Sequence, residues 1–134
     1  MRLQPFLDAI AATQIHFVAV LVATVLGAWM LARPKGTLVH RATGRVWMAA
    51  MAVAALSSFA IRATILPLIG PFGIIHLLSV LVLWMIYMAI AAARAGRIRA
   101  HRKWVLGLYL GAIIGAGAGA LAPGRLISRM LGYA

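Results

Sequence analysis

Four histidines and one carboxylate are the side chains in this 134-residue sequence best suited to ligand or proton chemistry: His16, His40, His76, His101 and Asp8, with no cysteine present. A single acid excludes a carboxylate acid/base pair, a membrane relay of Asp and Glu, and an oxygen-rich cation site. The missing thiols exclude disulfides, thiolate metal sites and thiol catalysis. What remains is imidazole, whose neutral ring nitrogen is a good ligand to iron and needs no balancing charge.

The histidines recur in a pattern. Ile15-His16 leads through Val20-Leu21-Val22 to Ala32-Arg33 and His40-Arg41, and Ile75-His76 leads through Val80-Leu81-Val82 to Ala93-Arg94 and His101-Arg102. The offset between copies is constant through Val82 and grows by one residue before Ala93. Such self-similarity reads as a duplicated helix pair with one insertion.

The elements that must position these residues are membrane helices. Hydrophobic residues make up 65% of the chain and the mean hydropathy is +1.03, far beyond the soluble range. Each crossing takes about 20 apolar residues, so the length allows four and no further domain. The expectation is one all-α domain over residues 1–134, a four-transmembrane-helix bundle built from a tandem repeat, about 9–66 and about 74–122. The first span runs from about Ala9 to Ala32, with Pro5 and Asp8 at its start. The N-terminus lacks a secretory-signal pattern and is expected to stay in the mature protein. Arg33 to Gly36 form a turn. Thr37 caps the second span, which carries His40, Arg41 and Arg45 in its first turns, Trp47 at headgroup level, and small residues from Ala49 to Ala60. A proline and glycine turn over Pro67 to Gly73 precedes a third span, about Ile74 to Ala95. The fourth runs from about Arg99 to Leu121 and is stopped by Pro123-Gly124.

The net charge of +12 raises nucleic acid as a partner, but its distribution argues for topology instead. Nine of the thirteen Lys and Arg residues fall in two segments: Arg33, Lys35, Arg41 and Arg45, then Arg94, Arg97, Arg99, Arg102 and Lys103. The positive-inside rule makes both loops cytoplasmic and both termini external, in a bacterial inner membrane, with Trp47 and Trp104 as interfacial anchors.

That topology stacks the histidines in two layers about 25 Å apart, from the 1.5 Å rise of the intervening helix. His16 can face His76 in the outer layer, and His40 can face His101 in the inner one. Imidazoles facing each other from separate helices are what six-coordinate haem b requires, so one or two haems are expected, with His16 and His76 the leading ligands. Arg41 and Arg102 beside the inner pair, and Arg62 and Arg125 near the outer face, could neutralise propionates. The same histidines also admit a structural reading, as interhelical polar contacts, carbonyl caps or lipid-phosphate ligands. Gly107, Gly111, Gly115 and Gly119 form a smooth ridge for close helix packing, within the chain, in a homo-oligomer or in a larger complex. Ser57, Ser58 and Ser79 read as interhelical hydrogen-bonders, since no acid is placed to orient a base.

In its histidine layout and helix number the chain resembles the core of the cytochrome b561 family, which implies electron transfer across the membrane from a small reductant. Its motifs PKGTLVHRATGRVWM (34–48), ALSSFAI (55–61), GPFGIIHLLS (70–79), HRKWVLGLYLGA (101–112) and PGR (123–125) resemble small bacterial membrane proteins of the domain of unknown function 2306 family. That likeness implies a four-helix inner-membrane protein and no particular reaction. The functional expectation is a haem b-binding electron carrier, an oxidoreductase-type b cytochrome that could exchange electrons with quinone. The alternative is a non-catalytic accessory subunit of a larger membrane complex, docked through the glycine ridge.

Overall fold

Apolar runs free of internal proline fold here into four long helices, joined by short turns where proline, glycine and charge gather. The computed structural model describes residues 3–62 and 67–132. A single turn, α1 (Gln4–Leu7), holds Pro5 at its start, where the missing N–H costs nothing. The long helices are α2 (Ala11–Leu31), α3 (Leu38–Ser58), α4 (Ile74–Arg94) and α5 (Ile98–Ala120). A two-stranded antiparallel hairpin, β1 (Pro67–Ile69) and β2 (Phe72–Gly73), leads directly into α4, turning at Gly70 with φ +56°. A short α6 (Leu126–Leu131) follows α5 and packs against α1.

The turn between α2 and α3 is secured at both ends. Lys35 Nζ donates to the carbonyls of Met30 and Leu31, each at 2.8 Å, which occupies acceptors left open at the end of α2. Thr37 is the N-cap expected from the sequence: its backbone is extended and its Oγ1 accepts from the His40 N–H at 3.1 Å. Gly36, at φ +82°, makes the reversal in a conformation that side chains with a Cβ rarely adopt.

α2 packs on α3 and α4 on α5, with α3 against α4 joining the two hairpins; α2 and α5 touch only sparsely. The α2–α3 seam is built from small residues: Ala19, Ala23 and Gly27 recur every fourth position on the buried face of α2. This spacing lets backbones approach where lipid offers no hydrophobic drive to associate. Trp47 closes the seam, 1% exposed, and its Nε1 donates to the Ala23 carbonyl at 2.8 Å. The expectation of Trp47 as an interfacial anchor is thereby corrected: its indole N–H is used by the neighbouring helix. Met30, Met51, Val82, Ile86 and Leu108 complete the core. Large apolar side chains such as Leu21, Val25, Leu77, Trp84 and Ile114 point outward, as a lipid-facing surface requires.

Among the described residues three helices, α2, α4 and α5, are long and apolar enough to cross a membrane. α3 has the length but not the composition, because His40, Arg41 and Arg45 occupy its first turns. α2 begins at Ala11, two residues later than expected, since the chain is still turning at Asp8 and Ala9. Pro123-Gly124 ends α5 as foreseen, but α6 beyond it was not expected. The end of the first sequence repeat, at 63–66, lies outside the described residues.

Candidate functional site

The bonding of the histidines fixes their tautomers wherever a carbonyl or an amide N–H is the partner. His16, in the second turn of α2, has Nδ1 2.7 Å from the Ala54 carbonyl of α3 and 3.3 Å from Ser57 Oγ. A carbonyl only accepts, so Nδ1 carries the proton and Nε2 is left as a lone pair. His101, in the first turn of α5, repeats this arrangement, with Nδ1 2.9 Å from the Ala89 carbonyl of α4. His76 is the reverse case. Its Nδ1 accepts the Gly73 N–H at 3.0 Å, and its Nε2–H is shared between the carbonyls of Ser58 and Ile61, each at 3.1 Å.

His76 therefore ties three segments together: it caps the start of α4, occupies acceptors at the end of α3, and sits between the rings of Phe59 and Phe72 at 5.8 and 5.1 Å. Its side chain is 4% exposed. Beside it Ser58 Oγ and Ser79 Oγ lie 2.6 Å apart, joining α3 to α4, so these serines act between helices as expected. Ser57 also serves between helices, through its contact with His16.

The outer layer of the sequence reading thus consists of His16 and His76 hung on carbonyls one turn apart on α3, Ala54 and Ser58. An axial imidazole presents a lone pair to iron while its other nitrogen donates to a carbonyl, which sets ring orientation. His16 meets that condition. His76 does not, because both of its nitrogens are taken by backbone, and ligation would strand a buried N–H and two carbonyls.

In the inner layer His40, half-buried on the first turn of α3, lies near His101 and Lys35. Its Nδ1 is buried with no partner among the described residues. Such an orphan is uncommon in a folded protein, because burying a polar atom unpaired is costly. A haem ligated by His40 and His101 fits this donor chemistry: one ring is already oriented by a carbonyl, and the other holds a buried nitrogen in need of a partner. Arg41 and Arg102, adjacent in sequence to these histidines, are exposed, as is Arg62, while Arg125 is half-buried before α6. Among the described residues no group of three or more His, Cys, Asp or Glu gathers as a metal site.

The glycines of α5 divide in use. A Cβ on Gly107 would meet Met85 Cε at 3.1 Å, and one on Gly115 would meet Leu78 Cδ2 at 3.6 Å, both side chains of α4; at Gly111 and Gly119 it would meet nothing within 4 Å. The close approach that sequence reasoning missed is Gly27, where an added Cβ would collide with the Tyr109 ring. Its spacing from Ala19 and Ala23 was the available signal. Nothing in the sequence pointed to Tyr109, whose hydroxyl donates to the Thr24 carbonyl at 3.1 Å and so bridges α5 to α2.

None of the curated proteins and none of the solved structures matches this chain. A family model described as a predicted membrane protein, DUF2306, matches residues 13–128, which takes in all four histidines, the Thr37 cap and the α2–α3 seam. With nearly its whole length matched, the chain belongs to the DUF2306 family of predicted membrane proteins.

Proposed function

We propose that this protein is a haem b-binding electron carrier of the bacterial inner membrane, crossing it four times with α2 to α5 and holding haem between His40 and His101. The observation that carries the reading is the buried Nδ1 of His40, without a partner among the described residues and near His101, whose own Nδ1 is fixed on Ala89. Haem, when bound, would supply reversible one-electron exchange with a partner such as quinone. The chain's part is to orient the ligands. The Ala89 carbonyl holds the His101 ring, and the Thr37 cap sets the first turn of α3 from which His40 projects. Arg41 and Arg102 bring positive charge next to both ligands, suited to propionates. Three helices able to cross by length and composition support an integral membrane chain, and the basic residues at the ends joining α2 to α3 and α4 to α5 favour a cytoplasmic position for that side.

The test is the visible spectrum of the purified protein, oxidised and dithionite-reduced, with a pyridine haemochrome count. One low-spin b haem per chain is expected. His101→Asn, which can still donate to Ala89 but offers iron no imidazole, should lose it, whereas His76→Asn should keep the haem of whatever protein folds. A colourless protein from a host that loads a known b cytochrome, or full retention in His101→Asn, would refute the reading.

A second reading, an accessory subunit in a larger complex, is favoured by α5, whose Gly111 and Gly119 leave open space on a helix with little of its surface covered. Mild solubilisation should then recover a stoichiometric partner that Gly111→Leu releases. A lone chain under those conditions would count against it.

A further inference from the structure

At the end opposite the basic loops, α1, the turn before α2, and α6 border an open cleft of about 410 Å³ that the haem reading does not use. Its lining includes Gln4, Asp8, Thr13 and Arg129. Asp8 is the chain's only acid, and it lines the same cleft as the guanidinium of Arg129. Gln4 Nε2 donates to Asp8 Oδ1 at 2.9 Å, which orients the carboxylate and leaves Oδ2 open. Arg129 extends from α6 with five donors in a planar fork, the geometry that recognises a phosphate. A negative and a positive group lining one cleft match a ligand that carries both signs.

The surroundings identify where such a ligand would come from. Ile10, which lines the cleft, and Leu3, Leu7 and Leu131, on or beside the two short helices that border it, are all more than half exposed. An apolar rim about a charged cleft, at one end of helices built to lie in lipid, suits a molecule whose polar head enters the cleft while its hydrocarbon lies against the rim.

We propose that this cavity binds the headgroup of a zwitterionic aminophospholipid, with the ammonium on Asp8 and the phosphate on Arg129. A primary ammonium satisfies the site better than a quaternary one, because it donates hydrogen bonds to the free Asp8 oxygen where a trimethylated nitrogen cannot. The inference is independent of haem binding, since it uses no histidine.

The experiment uses the full chain in nanodiscs made of either phosphatidylethanolamine with phosphatidylglycerol or phosphatidylcholine with phosphatidylglycerol. Lipid retained after detergent extraction is counted by native mass spectrometry. About one phosphatidylethanolamine per chain should be retained, with phosphatidylcholine at least fivefold less. Asp8→Asn and Arg129→Gln, both at exposed positions, should abolish that preference. Soluble phosphoethanolamine at millimolar concentration should fail to displace the lipid, because it cannot use the apolar rim. Equal retention of the two lipids by the unmodified protein, a preference unchanged in both variants, or displacement by the soluble headgroup would each overturn the proposal. The first of these comparisons needs no variant to fold.

Discussion

Gly27→Ala adds a single methyl group at a point where α2, α3 and α5 converge. An ideal Cβ there would stand 2.6 Å from Tyr109 Cδ2, closer still to Cε2, and 3.0 Å from Trp47 Nε1. Overpacking of this kind costs about 1–3 kcal/mol when neighbours must shift. Both neighbours are pinned by hydrogen bonds, Trp47 to the Ala23 carbonyl and Tyr109 to the Thr24 carbonyl. Straining either bond forfeits a further ~1 kcal/mol. Against this, replacing glycine in a helix interior gains up to ~1 kcal/mol. The sum is a net loss of about 1–3 kcal/mol. Gly111→Ala is the matched control, because its Cβ meets nothing within 4 Å and only the propensity gain remains. Unfolding of the purified chain by rising dodecyl sulfate mole fraction, followed by tryptophan fluorescence, should put Gly27→Ala below the unmodified protein and Gly111→Ala at or above it. If Gly27→Ala proved as stable as Gly111→Ala, the convergence of Tyr109 and Trp47 on Gly27 would be wrong.

The same titration checks two further substitutions. Thr37→Ala removes the cap on the His40 N–H and should cost ~1 kcal/mol; no change would mean that water or headgroups satisfy that N–H equally well. His76→Phe fills the space between Phe59 and Phe72 but leaves the Gly73 N–H and the Ser58 and Ile61 carbonyls to find other partners, at about 1–3 kcal/mol for each group left unpaired. It should be the more damaging of the two, and a smaller effect than that of Thr37→Ala would refute the role assigned to His76. The chain has no cysteine, so single cysteines report topology directly. Lys35→Cys and Arg97→Cys should react with an impermeant maleimide from one side of the membrane and Leu68→Cys from the other; Lys35→Cys and Leu68→Cys reacting from the same side would show that α3 does not cross.

Helix positions were legible because the hydropathy pattern and its interruptions were strong: the Thr37 cap, the Pro67–Gly73 reversal and the start of α4 all fall where turn chemistry demands. The role of Trp47 was not legible. Distance from a charged loop suggests an interfacial ring, and only the small residues of the facing helix, Ala23 and Gly27, make room to bury it. α6 and the α1–α6 cavity escaped for a similar reason, since a six-residue helix after a proline stop has too little periodicity to be seen. For the histidines, residue type was legible but bonding was not. Whether a ring nitrogen is free depends on backbone groups of other helices, here the carbonyls of Ala54, Ala89 and Ser58.

That bonding crosses the sequence repeat rather than following it. Alignment of the two halves equates His16 with His76 and His40 with His101. By hydrogen bonds, however, His16 is the counterpart of His101: each donates Nδ1 to a carbonyl of the helix beside it and keeps Nε2 as a lone pair. His76 has become a fastener, and the reason is local. The β1–β2 hairpin delivers the Gly73 N–H to its Nδ1, while the corresponding chain ahead of α2 is held by Gln14, whose Nε2 donates to the Phe6 and Leu7 carbonyls, and leaves His16 to bond α3. A connection that differs between the halves thus decides which imidazoles remain available. It leaves the His40 and His101 level, next to the basic loops, as the one where an oriented ring and an orphaned nitrogen stand together.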